Sequence, residues 1–204
     1  PIRIVADKGS TPPGFGFQGL VVRQDLIDRG AFGGCSSFKG YRIAVPGVGL
    51  SPEPAIERAL SDCGLGLGDI EIVPLGFPEM PAAARNGAID AAILIEPLLT
   101  SSLANGTIGL YKRTDQFYPN QQIAVLLYAP HIVAQQRAVG ERFMLAYVRA
   151  LRDHWDAFTR GLNKSEILDI LSRHTAAKDH ALLQQLTPVG LNPDGYVNMN
   201  TFSD

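Results

Sequence analysis

Residues 41–63 read Tyr-Arg-Ile-Ala-Val-Pro-Gly-Val-Gly-Leu-Ser-Pro-Glu-Pro-Ala-Ile-Glu-Arg-Ala-Leu-Ser-Asp-Cys. The short apolar run Tyr41–Val45 predicts a buried strand. Pro46–Leu50 is then a strand-to-helix loop, with Ser51 a good N-cap and Pro52 suited to the first helical position. Ile56, Ala59 and Leu60 keep helical spacing to about Cys63, and Gly64 is a C-terminal cap. The same grammar repeats downstream: a strand over Ile70–Pro74, a short helix over Pro81–Asn86 ending at Gly87, and a buried strand over Ala88–Ile95. Strand, helix, strand, helix, strand predicts an α/β fold with a mostly parallel sheet covered by helices.

Upstream, Ile2–Ala6 is a β-branched run that predicts a strand. Asp7–Gly19 is rich in Gly and Pro and predicts a loop; Leu20–Val22 is a second short strand, and Gln24–Gly34 a polar stretch ending in glycines. Beyond the central block, Ile123–Ala129 predicts a strand and Val139–Thr159 the strongest helix. Along that helix Phe143, Ala146, Tyr147, Ala150, Leu151, Trp155 and Phe158 recur at steps of three and four, a stripe expected to face the core. Asn163-Lys164-Ser165-Glu166 resembles a capping box, Leu182, Leu183 and Leu186 suggest one more helix, and Asn192–Gly195 reads as a turn.

Composition narrows the function classes. The 204 residues are 46% hydrophobic and 19% charged, which predicts a packed core, and the formal net charge is -2. That charge argues against a broad footprint for nucleic acid or anionic lipid. No apolar run approaches the roughly 20 residues that span a bilayer, so the chain is not expected to be membrane-spanning. The two cysteines, Cys35 and Cys63, lack metal-ligand spacing and are expected to be unpaired. The first residues carry no secretory signal and enter a strand without preamble, as in a processed chain or a fragment.

Four groups of residues carry candidate chemistry. Loop 46–51 joins a strand's carboxyl end to a helix N-terminus, where free N–H groups favour an anionic or polar ligand; the alternative is a tight turn with a capped helix. It lacks the Gly-Lys-Ser/Thr ending of a phosphate-binding loop. Glu96 follows the run Ala91–Ile95, so a carboxylate stands where ligands gather in parallel sheets; the alternative is a solvated or salt-bridged loop glutamate. Phe15-Gly16-Phe17 could cover a ring-shaped ligand or anchor its loop to the core, and Tyr118 and Tyr128 admit the same two readings. His131, His154, His174 and His180 form no metal spacing, and His154 is expected to be packed beside the long helix's apolar stripe. No nucleophile elbow or Cys-His signature is present.

Several stretches together resemble a known family. They are Ile2–Ser10, Gly19–Arg23, Phe38–Pro46, Ala82–Ala92 running into Glu96-Pro97, Phe143–Leu151 and Asn192–Asn198. In order and spacing they resemble the periplasmic solute-binding proteins of ABC transporters for sulfonates, taurine, nitrate and thiamine precursors, the NMT1/THI5-like (SsuA/TauA/ThiY) group. The resemblance implies a type II periplasmic-binding-protein fold: two α/β lobes, two crossing segments and a ligand cleft. Residues 1–22 and 111–204 would belong to one lobe, and 23–110 to the other with the crossing segments. The family begins with further βα units before the segment matching Ile2–Ser10, and continues past Ser203. The resemblance therefore implies that one lobe is incomplete here, with apolar surface and strand edges exposed.

By the same resemblance the ligand-facing positions are Lys8, Gly9, Ser10, Phe17, Gly47, Val48, Gly49, Leu50, Ser51, Glu96 and Tyr118. The implied partners are a small-molecule ligand and a membrane permease, with no cofactor, no catalytic residue and a periplasmic location. The implied ligand is a sulfonate, taurine, nitrate, an aromatic acid or a pyrimidine. Two rivals share the fold. A pyrimidine-precursor synthase would need a cysteine-rich motif that Cys35 and Cys63 cannot supply, and menaquinone-pathway enzymes stand beside it. A regulator's ligand-sensing domain would need a DNA-binding segment elsewhere.

Overall fold

A computed structural model describes residues 1–175 and 177–202, without the side chain of residue 202; Ser203 lies outside the described residues. The chain divides into two compact units. The first comprises Pro1–Phe15, Asn120–Gln184 and Pro188–Asp204; the second comprises Gly16–Pro119 and Gln185–Thr187. These bounds differ from those expected at 22/23 and 110/111. The strand over Gln18–Arg23 pairs within the second unit, as does the one over Ile108–Arg113.

The first unit holds β1 (Arg3–Ser10), paired antiparallel with a strand over Gln122–Tyr128. The second holds β2 (Gln18–Arg23), α1 (Gln24–Asp28), β3 (Arg42–Val45), α2 (Pro52–Ser61), β4 (Glu71–Pro74), α3 (Met80–Arg85), β5 (Ala91–Ile95), α4 (Leu98–Ala104), β6 (Ile108–Arg113) and α5 (Thr114–Phe117). The chain then returns to the first unit through β7 (Gln122–Tyr128), α6 (Pro130–Gln135), α7 (Arg137–Thr159) and α8 (Lys164–His174), with α9 (His180–Gln185) after them.

The second unit's sheet has the order β4-β3-β5-β2-β6. β3 is parallel to β4 and to β5, whereas β2 is antiparallel to both β5 and β6. Four strands therefore point one way, as expected of a mostly parallel sheet, and β2 runs against them. β2 enters from the first unit rather than from a helical crossover, so nothing forces it to run parallel.

Alternation along these strands sorts the core into two layers. Leu20, Val22, Ile43, Val45, Ala91 and Ile93 face one side, under Ala55, Ile56, Ala59 and Leu60 of α2. Val21, Ala44, Ala92 and Leu94 face the other, under Met80 and Ala84 of α3 and Leu99 of α4. At the lower end of this sheet Asp90 receives Nε and Nη2 of Arg42 at 3.0 and 2.9 Å and the Arg42 amide at 3.0 Å. Burial pushes the Asp90 carboxyl up, but the bonds from Arg42 outweigh it and hold the group below the ordinary aspartate value.

The expectation that the cysteines are unpaired is wrong. Cys35 and Cys63 form a disulfide with Cα atoms 5.9 Å apart. Cys35 opens a short 3-10 turn over Cys35–Phe38 that packs on α2, and Cys63 lies just past that helix, so folding brings the two sulfurs together.

The first unit is organised by Asp7, which is fully buried. Its carboxylate accepts from the Gly9 amide at 2.8 Å, from Nε2 of Gln122 at 2.6 Å and from the Asn192 amide at 2.7 Å. Its backbone oxygen accepts from the Tyr147 hydroxyl at 2.8 Å. β1, β7, α7 and the turn Asn192–Gly195 are thereby tied to one residue. Hence β1 continues to Ser10, past the predicted end at Ala6, because Asp7 and Gly9 pair with Val125 and Ala124.

The stripe of α7 does not form a closed core, contrary to expectation. Leu151 is buried, but Phe143 is 50% exposed, Ala146 and Ala150 are exposed, and Tyr147, Trp155 and Phe158 are half-buried. Among the described residues two strands stand in this unit's sheet for the helix to cover; Ile4 and Leu127 on them are exposed, as is Ile2 just before β1.

Two measurements follow. Reduction of Cys35–Cys63 is expected to lower the unfolding free energy by on the order of 3–4 kcal/mol, the loop-closure entropy of a crosslink of this span. Urea unfolding with and without reductant checks this, and coincident curves would refute it. Asp7→Ala leaves the Gly9 and Asn192 amides without their acceptor and removes one of the bonds of Gln122 Nε2; it is expected to cost about 3 kcal/mol, read as a lower thermal midpoint than in Asp7→Asn.

Candidate functional site

β3, β4, β5 and β6 all end at one edge of the second unit's sheet, and β2 begins there. Loop 46–51 rises from β3, Glu96 follows β5, and Thr114–Phe117 forms α5 directly after β6. Crevices at strand carboxyl ends are the usual ligand sites of α/β sheets.

Gly49 adopts a φ of +75°, open to glycine but strained for other residues. It turns the loop so that its amide meets the carboxylate of Glu53 at 2.8 Å. The side chain thus returns from the first turn of α2 to the N-terminal end, where a negative charge is favourable. Val48 and Leu50 are 70% and 48% exposed on the same loop. Ser51 makes no capping hydrogen bond to the helix.

Glu96 is committed within the protein. One carboxylate oxygen accepts from Nη1 of Arg113 at 3.1 Å and from the Thr187 amide at 3.4 Å; the other accepts from the Thr100 amide at 3.0 Å. Its side chain is 6% exposed. The same Nη1 of Arg113 donates to the Gly16 carbonyl at 2.8 Å. A β-carbon at Gly16 would collide with the Asp115 carboxylate, so the glycine between Phe15 and Phe17 lets this turn close.

Gln18 lies at the start of β2, opposite Ile95. It shares parity with Leu20 and Val22 and therefore faces the α2 side of the sheet. It is 2% exposed, and its side-chain oxygen has no hydrogen-bond partner among the described residues. Tyr118 is partly buried against the same layer, close after α5, and Phe17 is half-buried with its carbonyl accepting from the Glu96 amide at 3.0 Å.

The fold therefore brings Phe17, Gly47, Val48, Gly49, Leu50, Ser51, Glu96 and Tyr118 to one end of the second unit. Lys8, Gly9 and Ser10 belong to the first unit. There Lys8 is exposed and Gly9 buried, and Ser10 opens onto a cleft of about 340 Å³ shared with Gln122, Trp155, Asn192 and Tyr196. Phe15 also lies in the first unit and stacks on Trp155 at 5.6 Å, an anchoring contact. Tyr128 packs on Phe143 and donates to the Gly140 carbonyl. His154 sits against Phe158, and burial pushes its pKa down to about 4, leaving it neutral at pH 7.

Gln18, Glu53 and Arg113 were not among the candidates drawn from sequence. The available signal for Gln18 was a polar residue on the inward parity of an apolar strand. For Glu53 it was an acid in the first turn of a helix. Arg113 lies in a stretch whose strand was not recognised.

With its strand-end site, the chain has the fold of the periplasmic solute-binding proteins that serve ABC importers. Solved structures sharing it include a zinc-bound ligand-binding component of an ABC-type import system from Staphylococcus aureus, at TM-score 0.79 and 17% identity, covering 99% of this chain and 64% of that one. The alkanesulfonate-binding protein SsuA of Xanthomonas axonopodis pv. citri bound to MOPS matches at TM-score 0.67 and 19% identity, over 88% of this chain and 57% of its own. The nitrate-binding protein NrtA of Synechocystis PCC 6803 matches at 0.65 and 18%, over 85% and 45%. The chain thus spans less than two thirds of the length of each. No family model and no curated protein matches it. Among the described residues no helix is long and apolar enough to cross a membrane.

The bonds around Glu96 generate a prediction. Glu96→Ala strands Arg113 and two backbone amides, so it is expected to lower stability by about 2–3 kcal/mol. Chemical unfolding of the variant checks this, and an unchanged midpoint would show that Glu96 is not the structural anchor its contacts describe.

Proposed function

We propose that this chain is the solute-binding component of an ABC-type importer and is not an enzyme. It would hold a small molecule at the strand ends of its second unit and present it to a membrane permease. The observation that supports this best is the shared fold, which extends over 85–99% of the chain in import receptors of quite different cargo. Loop 46–51, Phe17 and Tyr118 would form the ligand-facing surface of the second unit. Lys8, Gly9 and Ser10 would be the ligand-facing residues of the first unit. Glu96 would act mainly by holding Arg113 and the start of α4 in place, so its part in binding is positional.

A periplasmic or other extracytoplasmic location is part of the proposal. The Cys35–Cys63 bond supports it, because disulfides persist in oxidising compartments.

Thermal unfolding of the 204-residue chain against taurine, alkyl sulfonates, aromatic carboxylates, nitrate and aminopyrimidines tests the reading. A ligand that binds only the folded state raises the midpoint by mass action. At least one class is expected to give a rise that grows with concentration, with the compound recovered unchanged. A cooperative transition that no class moves would refute the receptor reading, and conversion of the compound would refute the non-enzymatic one.

A further inference from the structure

At the strand ends of the second unit, two donors that could meet an anion are already engaged. At the N-terminus of α2 the Gly49 amide, which could hold an anion, is bound to the Glu53 carboxylate at 2.8 Å. Glu53 itself has no ion-pair partner among the described residues, so one acidic group stands uncompensated there. Arg113, a guanidinium at this end, directs Nη1 to Glu96 and to the Gly16 carbonyl.

Gln18 points independently to the same polarity. The residue is 2% exposed, and its side-chain oxygen has no partner among the described residues. Strand parity turns it toward the face covered by α2, and its register opposite Ile95 places it at the edge from which loop 46–51 rises. A buried acceptor left unpaired is costly, and the cost is recovered when a donor arrives. The partly buried ring of Tyr118 lies on that face too, and an aromatic face attracts a cation.

We propose that this site takes a cationic, hydrogen-bond-donating group, an ammonium or an amidinium, with Glu53 and the Gln18 oxygen as its acceptors. The proposal rests on the receptor reading and narrows it. The site selects against sulfonate and nitrate because Glu53 already occupies the Gly49 amide and its charge repels a second negative one.

The test uses two aromatic probes of matched size and opposite charge, benzamidine and benzenesulfonate, at constant ionic strength. Unfolding midpoints and titration calorimetry are read on the 204-residue chain. Benzamidine is expected to raise the midpoint with concentration, and benzenesulfonate to leave it unchanged. Glu53→Gln is expected to weaken benzamidine binding at least tenfold while keeping a cooperative transition. Gln18→Leu is expected to raise the midpoint without probe and to weaken benzamidine binding, a pair of effects that a purely structural glutamine would not give. Stabilisation by benzenesulfonate in place of benzamidine would overturn the charge assignment and leave the receptor reading standing. Silence from both probes, with a response to nitrate or taurine, would do the same. Silence from every compound would overturn both. Wild-type benzamidine affinity in Glu53→Gln or Gln18→Leu would remove that residue from the site and the proposal with it.

Discussion

The second unit depends on β2 running against its neighbours. Residues Gln18–Val22 are all buried, hydrogen-bonded to β5 on one side and β6 on the other. A strand with both edges paired and both faces covered has no freedom of register, because a slip of one residue would exchange Leu20 and Val22 with Val21 between two filled layers. Its direction has a further effect. The four parallel strands deliver their carboxyl ends to one edge, and β2 delivers its amino end there, with Gln18 as its first residue. The ladder that fixes the core also holds a polar side chain, inward-facing, at the edge where loops gather.

The first unit is held by other means. A buried carboxylate is costly unless its lone pairs are used, and Asp7 uses them on donors from three separated parts of the chain. That knot substitutes for extensive packing: among the described residues the sheet of this unit has two strands, extended by a single bridge from Ser10 to Gly190, and Phe143, Ala146 and Ala150 of the α7 stripe are uncovered. Chemically, the two units are therefore held differently, one by two apolar layers and the other by a hydrogen-bonded centre with partial burial around it.

The legibility of the sequence follows the same division. The segment 41–95 was readable because its elements carry local signals: β-branched runs, Ser51 before Pro52, glycines at helix ends. The type of each element came through, and so did the edge where their loops meet. The antiparallel insertion of β2 left no local trace, since pairing partners distant in the chain decide it. The strand Ile108–Arg113 alternates weakly, with Gly109 and two basic residues, and its identity comes from pairing with β2. The stripe on α7 was real as a pattern, but periodicity states that a face is apolar without stating what covers it. The cysteine pair was missed for a similar reason: a separation of 28 residues says nothing until the 3-10 turn over Cys35–Phe38 lies against α2.

At the site the same limit operates on individual atoms. Loop 46–51 and Glu96 were readable as positions at strand ends, but their hydrogen-bond partners were not. Glu96 carries its charge inward to Arg113, whereas Glu53, one turn into a helix and unremarkable in sequence, supplies the exposed acceptor. An acid at a helix N-terminus stabilises by about 0.3–1 kcal/mol, whereas an unpaired buried acceptor such as that of Gln18 costs about 1–3 kcal/mol. The balance at this edge is therefore unfavourable in the free protein, and what it lacks is a donor for the Gln18 oxygen. A sequence under pressure for stability alone would place leucine at position 18, where strand parity and burial favour it. Glutamine at that position is a local cost best accounted for by function, and a donor-bearing ligand is the species that would offset it.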